Sequence, residues 1–316
     1  MADRDANQVG YIYGPVPSRR LGRSLGIDVV PAKICTLDCV YCQIGRTTEK
    51  STVRRPFFDV QEVLDELAGK LAGGVAADYI TIGGSGEPTL NSQIGLLIDG
   101  IRAITKIPVA IITNGTLLYR PDVRADCAKA DLVVPSLDAA DAEAFEAVNR
   151  PASDISIEKL VSGLARFREE YSGQIWLEVF LIEGMNTTAD QIAALKRHID
   201  RIRPDRIQLN SAVRPAAEPG IEAIGRQRMD EIARRIGGNC EVVGAAPQAR
   251  ADRHVQRTSA DVLSMLKRRP CRLEDICAGI GISRNEAVKH ITLLLDEKAI
   301  TSERQGGVTY YCTRSD

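Results

Sequence analysis

The order of apolar and polar residues divides most of the chain into short strand-like runs separated by longer helix-like segments. Runs rich in β-branched residues predict strands at Ser24–Val30, Tyr79–Ile82, Val109–Thr113, Leu132–Pro135, Ile175–Ile182, Ile207–Asn210 and Glu241–Val243. Apolar residues at i, i+3 and i+4 predict helices at Val60–Leu71, Ser92–Ile104, Pro121–Ala128, Ile157–Glu170, Thr188–Arg201 and Arg226–Ile236. Strands that alternate with helices predict right-handed crossovers and a parallel sheet.

Polar or glycine-rich residues follow six of these strands at the point where each ends. They are Cys35, Cys39 and Cys42, then Gly83–Pro88, Asn114-Gly115, Ser136–Asp138, Glu183–Asn186 and Asn210-Ser211. Periodicity alone fits either a doubly wound open sheet or a β/α barrel. A barrel brings the carboxyl ends of all its strands to one opening, whereas an open sheet gathers only those near its switch point. Six contributing strands therefore favour an α/β fold, a partial (β/α)6 barrel over residues 1–245.

The last sixty residues have a different pattern and predict a separate small domain. A linker is expected at 246–257, in a stretch rich in Ala, Pro and Arg. Helical patterns follow at Ser259–Lys267, Leu273–Cys277 and Arg284–Glu297. Two short strands, Ile300–Glu303 and Val308–Cys312, flank a Gln-Gly-Gly turn and predict a β-hairpin. We therefore expect a second domain at 258–316.

Composition narrows the class of protein without identifying a function. The 316 residues are 44% hydrophobic and 26% charged, which is typical of a globular protein. No run of ~18 apolar residues could cross a membrane, and the first seven residues lack the apolar segment of a signal peptide. The expected location is therefore the cytoplasm, where the eight cysteines stay reduced.

Charge is balanced overall but uneven along the chain. The 41 Lys and Arg residues offset 42 Asp and Glu residues to a net charge of −1. Residues 1–56 carry nine basic and five acidic residues, and residues 257–316 carry ten and eight. Both ends are therefore locally basic, while the middle of the chain is acidic.

The strongest chemical signal is a group of three cysteines, Cys35, Cys39 and Cys42, in a C-x3-C-x2-C spacing. Thiolates hold iron–sulfur clusters, commonly through four cysteines. With only three local thiolates, a four-iron cluster would keep one iron open for a ligand, as catalytic metal sites do. A structural zinc site would instead need a distant fourth ligand such as Cys127 or Cys240, and unliganded thiols are the other alternative.

The remaining five cysteines carry no clear metal-binding pattern. Buried thiols are the default expectation for them, and a second cluster is the alternative. They are Cys127, Cys240, Cys271, Cys277 and Cys312.

The cysteine spacing, with the aromatic Tyr41 before the third cysteine, resembles the signature of the radical S-adenosylmethionine (SAM) superfamily, and the resemblance covers residues ~11–245. It implies a 4Fe-4S cluster on Cys35, Cys39 and Cys42 whose open iron binds the amino and carboxylate groups of SAM. It also implies that the reduced cluster cleaves SAM to methionine and a 5′-deoxyadenosyl radical, which abstracts hydrogen from a substrate. A reductase, or an electron donor of the flavodoxin or ferredoxin type, is then an expected partner.

A second element agrees with this resemblance. Residues 84–88, Gly-Ser-Gly-Glu-Pro, are similar to the Gly-Gly-Glu element of the same superfamily. Glycines let a backbone approach a ligand closely, and the carboxylate of Glu87 suits an ammonium group. The resemblance implies SAM contacts from the following residues: Tyr41 beside the adenine, Gly84, Gly86 and Glu87 at the methionine end, and Asn114, Ser136 and Asp138.

Three arginines in a Gly/Pro-rich stretch, Arg19, Arg20 and Arg23, precede the first predicted strand and are expected on a loop. Arginine suits bidentate contacts with phosphate or carboxylate, so all three are candidate substrate contacts, with ion pairing as the alternative. Together with residues 39–48 this stretch resembles bacterial and archaeal iron–sulfur oxidoreductases related to the enzyme that builds the tricyclic wyosine base in tRNA. Those tRNA enzymes carry a second cysteine cluster upstream, and no cysteine precedes Cys35 here.

The predicted C-terminal domain resembles a winged helix-turn-helix domain over residues ~258–314. In such domains the third helix enters the DNA major groove, which makes Arg284, Asn285, Lys289 and His290 candidate nucleic-acid contacts. A net charge of +2 is small for duplex binding. Contact with a protein, dimerisation or capping of the barrel are the alternatives.

Three functions follow from these features. The favoured one is a radical SAM enzyme that acts on RNA, such as tRNA, or on another macromolecule. The second is an activase that makes a glycyl radical on a partner enzyme through the same cluster chemistry. The third is a DNA-binding redox regulator, which would need the cluster but not the glycine-rich site at 84–87.

Overall fold

The computed structural model describes residues 10–212, 218, 220–243, 259–280, 282, 284–305 and 308–313. Its strands are β1 Ile12–Ser18, β2 Gly22–Asp28, β3 Ile34–Cys35, β4 Glu49–Lys50, β5 Tyr79–Gly83, β6 Val109–Thr113, β7 Leu132–Pro135, β8 Gln174–Phe180, β9 Arg206–Asn210, β10 Cys240–Val242, β11 Ile300–Gln305 and β12 Val308–Thr313. Its helices are α1 Val60–Ala72, α2 Ile94–Ile104, α3 Pro121–Cys127, α4 Ala142–Asn149, α5 Ile157–Glu170, α6 Ala189–Ile202, α7 Arg226–Ile236, α8 Ser259–Leu266, α9 Leu273–Ile280 and α10 Arg284–Asp296. The expected linker at 246–257 lies outside these described residues.

The main sheet has eight strands in the order β1-β2-β5-β6-β7-β8-β9-β10. In that order, every neighbouring pair from β2 to β10 is parallel, whereas β1 pairs antiparallel with β2. The strand order follows the chain without reversing, in contrast to a doubly wound sheet, whose order reverses at a switch point. The predicted α/β partial barrel is therefore confirmed.

Side-chain alternation along the parallel strands gives the sheet two different faces. On one face, residues such as Leu25, Ile82 and Leu177 are fully buried and join the apolar core against the helices. The opposite, inner face is apolar towards the amino ends of the strands, where Leu132 and Trp176 belong to a small separate cluster. Towards the carboxyl ends the inner face mixes polar and apolar side chains, among them Glu178 and Phe180. On this face a space remains beside the strand ends.

The stretch expected as an arginine-bearing loop forms a β-hairpin instead. Strands β1 and β2 flank a turn that holds Arg19 and Arg20, and β1 lies at the edge of the sheet. Proline cannot donate a ladder hydrogen bond and is tolerated in edge strands, which is why a sequence with Pro15 and Pro17 can form β1. Helix α4 is a second element that the hydrophobic pattern did not predict.

The C-terminal unit, made of α8, α9, α10, β11 and β12, follows the predicted order of three helices and a hairpin. Its own apolar core includes Val262, Ile276 and Ile291. Helices α8 and α9 pack against the edge strand β1. Membership of this unit in the winged-helix class stays a prediction. Among the described helices, none is both long enough and apolar enough to cross a membrane.

Candidate active site

A cavity of about 410 Å³ lies on the inner face of the sheet. Its wall includes the cysteine loop that follows β2 and the glycine-rich turn that follows β5. Inner-face residues of β1, β2, β8 and β9 complete the sheet side, and the segment after α8 forms part of the opposite side. The sheet and the C-terminal unit thus bring together segments that are more than 200 residues apart in the chain.

All three sulfur-bearing residues of the triplet line this cavity. Burial raises the pKa of the Cys35 thiol to about 12, and the nearby Glu87 carboxylate adds to the shift. Burial, followed by the charge of Asp138, places the pKa of Cys39 well above its usual range. Burial also raises the pKa of Cys42. Burial therefore favours the neutral thiols, and a bound cationic metal group would lower these pKa values and favour the thiolates.

Two asparagine side chains contact the sulfurs. The amide nitrogen of Asn114 lies 3.5 Å from the Sγ of Cys35, and that of Asn149 lies 3.3 Å from the Sγ of Cys39. The Oδ1 of Asn149 is buried without a hydrogen-bond partner in the described part of the chain. Amide donors beside sulfur stabilise thiolate charge and tune the potential of a cluster.

The donor set fits an iron–sulfur cluster better than a single ion. Within the described residues, no three Cys, His, Asp or Glu side chains converge closely enough to hold one metal ion. A zinc ion holds its sulfur ligands at about 2.3 Å, which requires such convergence. A group bound by all three thiols must therefore extend between them, and the cavity they line provides that space.

The glycine-rich turn packs directly against the cysteine loop. The amide of Lys33 donates to the carbonyl of Ser85 (2.6 Å), and the amide of Glu87 donates to the carbonyl of Ile34 (3.0 Å). A Cβ at Gly86 would lie 2.1 Å from that Ile34 oxygen. The absence of a side chain at position 86 is therefore what allows the two loops to meet.

The Glu87 carboxylate is buried and fully engaged within the protein. Its Oε1 accepts from the amide and the hydroxyl of Thr89 and from the hydroxyl of Thr113, and its Oε2 accepts from the amide of Asn114. Burial raises the pKa of this carboxyl, and these donors oppose the shift. Asn114 in turn donates to Thr36 at 2.8 Å. Glu87 thus connects the ends of β5 and β6 to the cysteine loop.

A second buried network holds the aromatic residue of the triplet. The Tyr41 hydroxyl donates to Asp138, which also accepts from Asn149 (2.8 Å) and from the amide of Phe180 (2.8 Å). The Tyr41 ring stacks on Phe180 with ring centroids 3.9 Å apart and faces the cavity. Burial raises the pKa of Asp138. Asp138 therefore fixes the orientation of Tyr41.

The structure separates the predicted SAM contacts into two groups. Tyr41, Gly84 and Gly86 line the cavity. Glu87, Asn114, Ser136 and Asp138 do not line it. Glu87, Asn114 and Asp138 hold lining residues in place through hydrogen bonds, and the backbone of Ser136 forms a bridge with Glu178. Direct contact between these four residues and a cofactor stays a prediction.

The three N-terminal arginines also differ in their position relative to the cavity. Arg19 and Arg20 line the cavity, and Arg20 forms an ion pair with Glu178 of β8. Arg23 does not line it, because its side chain is half-exposed and pairs with Asp78 at 3.1 Å. Strand alternation explains this difference, since the neighbouring Ser24 occupies the inward position. The geometry therefore gives no support to substrate contact by Arg23.

Sequence reasoning missed Asp28, Arg268 and Arg269. Asp28 ends β2, accepts from the Ser85 hydroxyl at 2.6 Å and pairs with Arg268 at 2.8 Å. Arg268 and Arg269 follow α8 and line the cavity. In the sequence, the two arginines are marked by the Lys-Arg-Arg run at 267–269, but the position of this run against the sheet depends on tertiary packing.

The candidate nucleic-acid contacts lie on α10, apart from this cavity. Arg284, Asn285 and Lys289 are exposed, and Arg284 pairs with Glu274 at 2.9 Å. His290 is half-buried, with its Nδ1 2.9 Å from the Ser259 hydroxyl. The five cysteines outside the triplet form no disulfide, and Cys127 and Cys271 are buried.

Comparison with known proteins agrees with this geometry. The profile of the Radical SAM superfamily matches residues 29–195. A protein named GTPase Obg from Brachyspira hyodysenteriae is 35% identical over 95% of this chain, which spans 45% of that relative's length. A UPF0026 protein of Helicobacter pylori is 32% identical and covers 95% of this chain and 97% of its own. A radical SAM methyltransferase structure from Sphaerobacter thermophilus has a TM-score of 0.52 at 15% identity, covering 69% of this chain and 65% of that one, and shows a shared fold alone. The chain therefore belongs to the radical SAM superfamily.

Proposed function

We propose that this protein is a radical SAM enzyme whose 4Fe-4S cluster is held by Cys35, Cys39 and Cys42. The observation that carries the proposal is that all three thiols line one cavity together with the glycine-rich turn at 83–86. When bound, the cluster and SAM supply reductive cleavage to methionine and a 5′-deoxyadenosyl radical, which takes a hydrogen atom from the substrate. An electron donor of the flavodoxin or ferredoxin type, or a reductase, is part of the proposal.

The cavity residues of this chain position the cofactors and restrict water. The backbone of Gly84 and Gly86 would be open to the amino-acid end of SAM, because neither glycine carries a side chain, whereas the amide and carbonyl of Ser85 are engaged by Asp28 and Lys33. Tyr41, held by Asp138 and stacked on Phe180, presents a fixed aromatic edge beside the adenine. Asn114 and Asn149 donate towards the sulfurs and stabilise their charge.

The cluster assignment is tested by cysteine substitution. Protein reconstituted anaerobically with iron and sulfide, then reduced with dithionite, should convert SAM to 5′-deoxyadenosine as measured by liquid chromatography. Replacing all three triplet cysteines with alanine should abolish the product and the bound iron. Replacing Cys277 and Cys312, which lie in the C-terminal unit, should leave both unchanged. Equal product from the triplet variant and the wild type would refute the proposal.

The substrate is proposed to be RNA, with tRNA as the first class to test. The support is chemical, because the inner cavity carries several arginines and arginine suits phosphate. The test compares modified nucleosides of tRNA from cells with and without the gene. A nucleoside that is lost on deletion and restored by the wild-type gene, but not by the triplet variant, is the expected result. An unchanged profile would eliminate tRNA as the substrate.

A further inference from the structure

Two separate parts of the chain contribute arginines to the cavity. Arg19 and Arg20 come from the β1–β2 turn, and Arg268 and Arg269 come from the segment after α8. The turn precedes β2, whereas the cysteine loop follows it, so the turn lies at the opposite end of this strand from the cluster ligands. The cavity therefore extends from the cysteine loop to the β1–β2 turn, whereas Arg268 lies near the cysteine-loop end of β2, where it pairs with Asp28.

The positive charge of these four arginines is only partly balanced. Arg20 pairs with Glu178, and Arg268 pairs with Asp28. Arg19 and Arg269 form no ion pair within the described part of the chain, and Glu178 is the acidic residue that lines the cavity. Within the described residues, the guanidinium groups of Arg19 and Arg269 are therefore not neutralised by an ion pair.

These charges also repel one another. Burial lowers the pKa of Arg20 to about 10, and the charges of Arg19 and Arg269 add to that shift. Burial lowers the pKa of Arg19 as well, where Arg269 contributes and Asp275 opposes the change. Like charges held in a partly buried cavity cost free energy, and proteins retain such arrangements where a ligand relieves them.

We propose that Arg19, Arg20 and Arg269 bind an anionic group of the substrate, a phosphate or a carboxylate, so that the C-terminal unit forms part of the substrate site. Guanidinium groups recognise both anions through paired N–H donors. The carboxylate of SAM is a different anion, since the proposed function places the amino-acid end of SAM at the glycine-rich turn, beside the cysteine loop. The assignment of the bound anion to the substrate depends on that proposed function.

The experiment measures anion binding directly, on protein that carries its cluster and SAM. Isothermal titration under anaerobic conditions compares inorganic phosphate with succinate, and the tighter anion identifies the group. Arg19→Gln and Arg269→Gln should each weaken that binding about ten-fold, because each removes charge-assisted hydrogen bonds. Arg269→Lys should retain most of the affinity, since it keeps the charge.

Two matched controls place the change outside the cavity. Arg23→Gln alters the same hairpin, and Arg304→Gln alters an exposed position in the C-terminal unit, so both should bind like the wild type. Thermal unfolding in phosphate-free buffer checks that each variant folds. Failure of the wild type to bind either anion would overturn the inference, as would binding that Arg19→Gln and Arg269→Gln leave unchanged. Absence of 5′-deoxyadenosine in a sample whose anion binding depends on these arginines would count against the proposed function instead.

Discussion

Gly86 lies where the glycine-rich turn and the cysteine loop touch, and its lack of a side chain sets their distance. A Cβ here would meet backbone at Ile34, which cannot rotate away as a flexible side chain could. Gly84 adds a second constraint, because its φ of +122° is one that other residues rarely adopt and a Cβ would lie 2.1 Å from Asp28. The shape of the cluster site therefore depends partly on these two glycines, which contribute no functional group.

Replacing Gly86 with alanine should displace the cysteine loop. We expect the free energy of unfolding to fall by about 1–3 kcal/mol, as for other overpacked sites, and iron and sulfide content after reconstitution to fall with it. Gly69→Ala is the matched control, because no atom lies within 4 Å of a Cβ at that position of α1. That substitution should stabilise the protein by roughly 0.5–1 kcal/mol through helix propensity. Full iron content in Gly86→Ala would contradict the prediction.

The Glu87 carboxylate makes four hydrogen bonds to its own protein, so its effect should not depend on SAM. In Glu87→Gln, an amide NH2 replaces one acceptor oxygen and must face a donor such as the Asn114 amide or the Thr113 hydroxyl. We expect a loss of about 1–3 kcal/mol in the free energy of unfolding, measured by denaturant titration without SAM or cluster. A variant with unaltered stability but weakened SAM binding would show instead that the carboxylate serves the cofactor.

At the scale of secondary-structure elements, the feature that matters most is the contact between the C-terminal helices and strand β1. The Arg268 guanidinium lies 3.5 Å from the centre of the Tyr13 ring of β1 and pairs with Asp28 of β2. The side chains of Arg268 and Asp28 are 17% and 6% exposed, so the pair is largely protected from screening by water. This single arginine therefore joins the segment after α8 to both β1 and β2.

Arg268→Ala should loosen the C-terminal unit from the sheet. Removing one partner of a largely buried pair leaves Asp28 without its counter-charge, which costs roughly 3 kcal/mol. Hydrogen–deuterium exchange should then increase at the amides of β1 and α8, while α5 and β7 stay protected. Arg304→Ala, at an exposed position of β11, is the control and should exchange like the wild type. Unchanged protection of β1 in Arg268→Ala would argue against this contact as the main attachment.

The elements with a strong local signal could be predicted from the sequence. Strands β6 and β7 and helices α5 and α7 agree with the pattern residue for residue. The sequence pattern did not predict strand β1, because its two prolines are typical of a loop. Prolines are tolerated in this strand because β1 lies at the edge of the sheet. In the site, the cysteine triplet was identifiable from spacing, whereas the role of Asp28 depends on two partners 57 and 240 residues away. Contacts across such separations leave no pattern in one sequence.

At the scale of the whole molecule, the charged residues are distributed unevenly over the different surfaces. The cavity concentrates arginine, whereas the exposed face of α10 carries charges that are partly used within the protein. Arg284 is balanced by Glu274, and His290 is engaged with Ser259. A duplex would therefore find few free cations on this helix beyond Lys289.

Binding of duplex DNA should accordingly be weak and insensitive to sequence. At about 0.15 M salt we expect a Kd no tighter than about 1 µM, the range of non-specific binding. Lys289→Gln should reduce the slope of log K against log salt by about one, as for loss of a single phosphate contact. Gel-shift titrations across several salt concentrations provide the measurement. Nanomolar binding with a clear sequence preference would show that α10 is a recognition helix.

The position of Met265, Arg268 and Arg269 on the cavity wall also has a consequence for how the protein is made. A ribosome synthesises the cysteine loop more than 200 residues before this part of the wall, and domains generally fold in the order of synthesis. The cavity wall is therefore incomplete on that side until the last segment is released and docks. A chain that ended before Met265 would therefore lack this part of the wall, although it would contain every proposed cluster ligand.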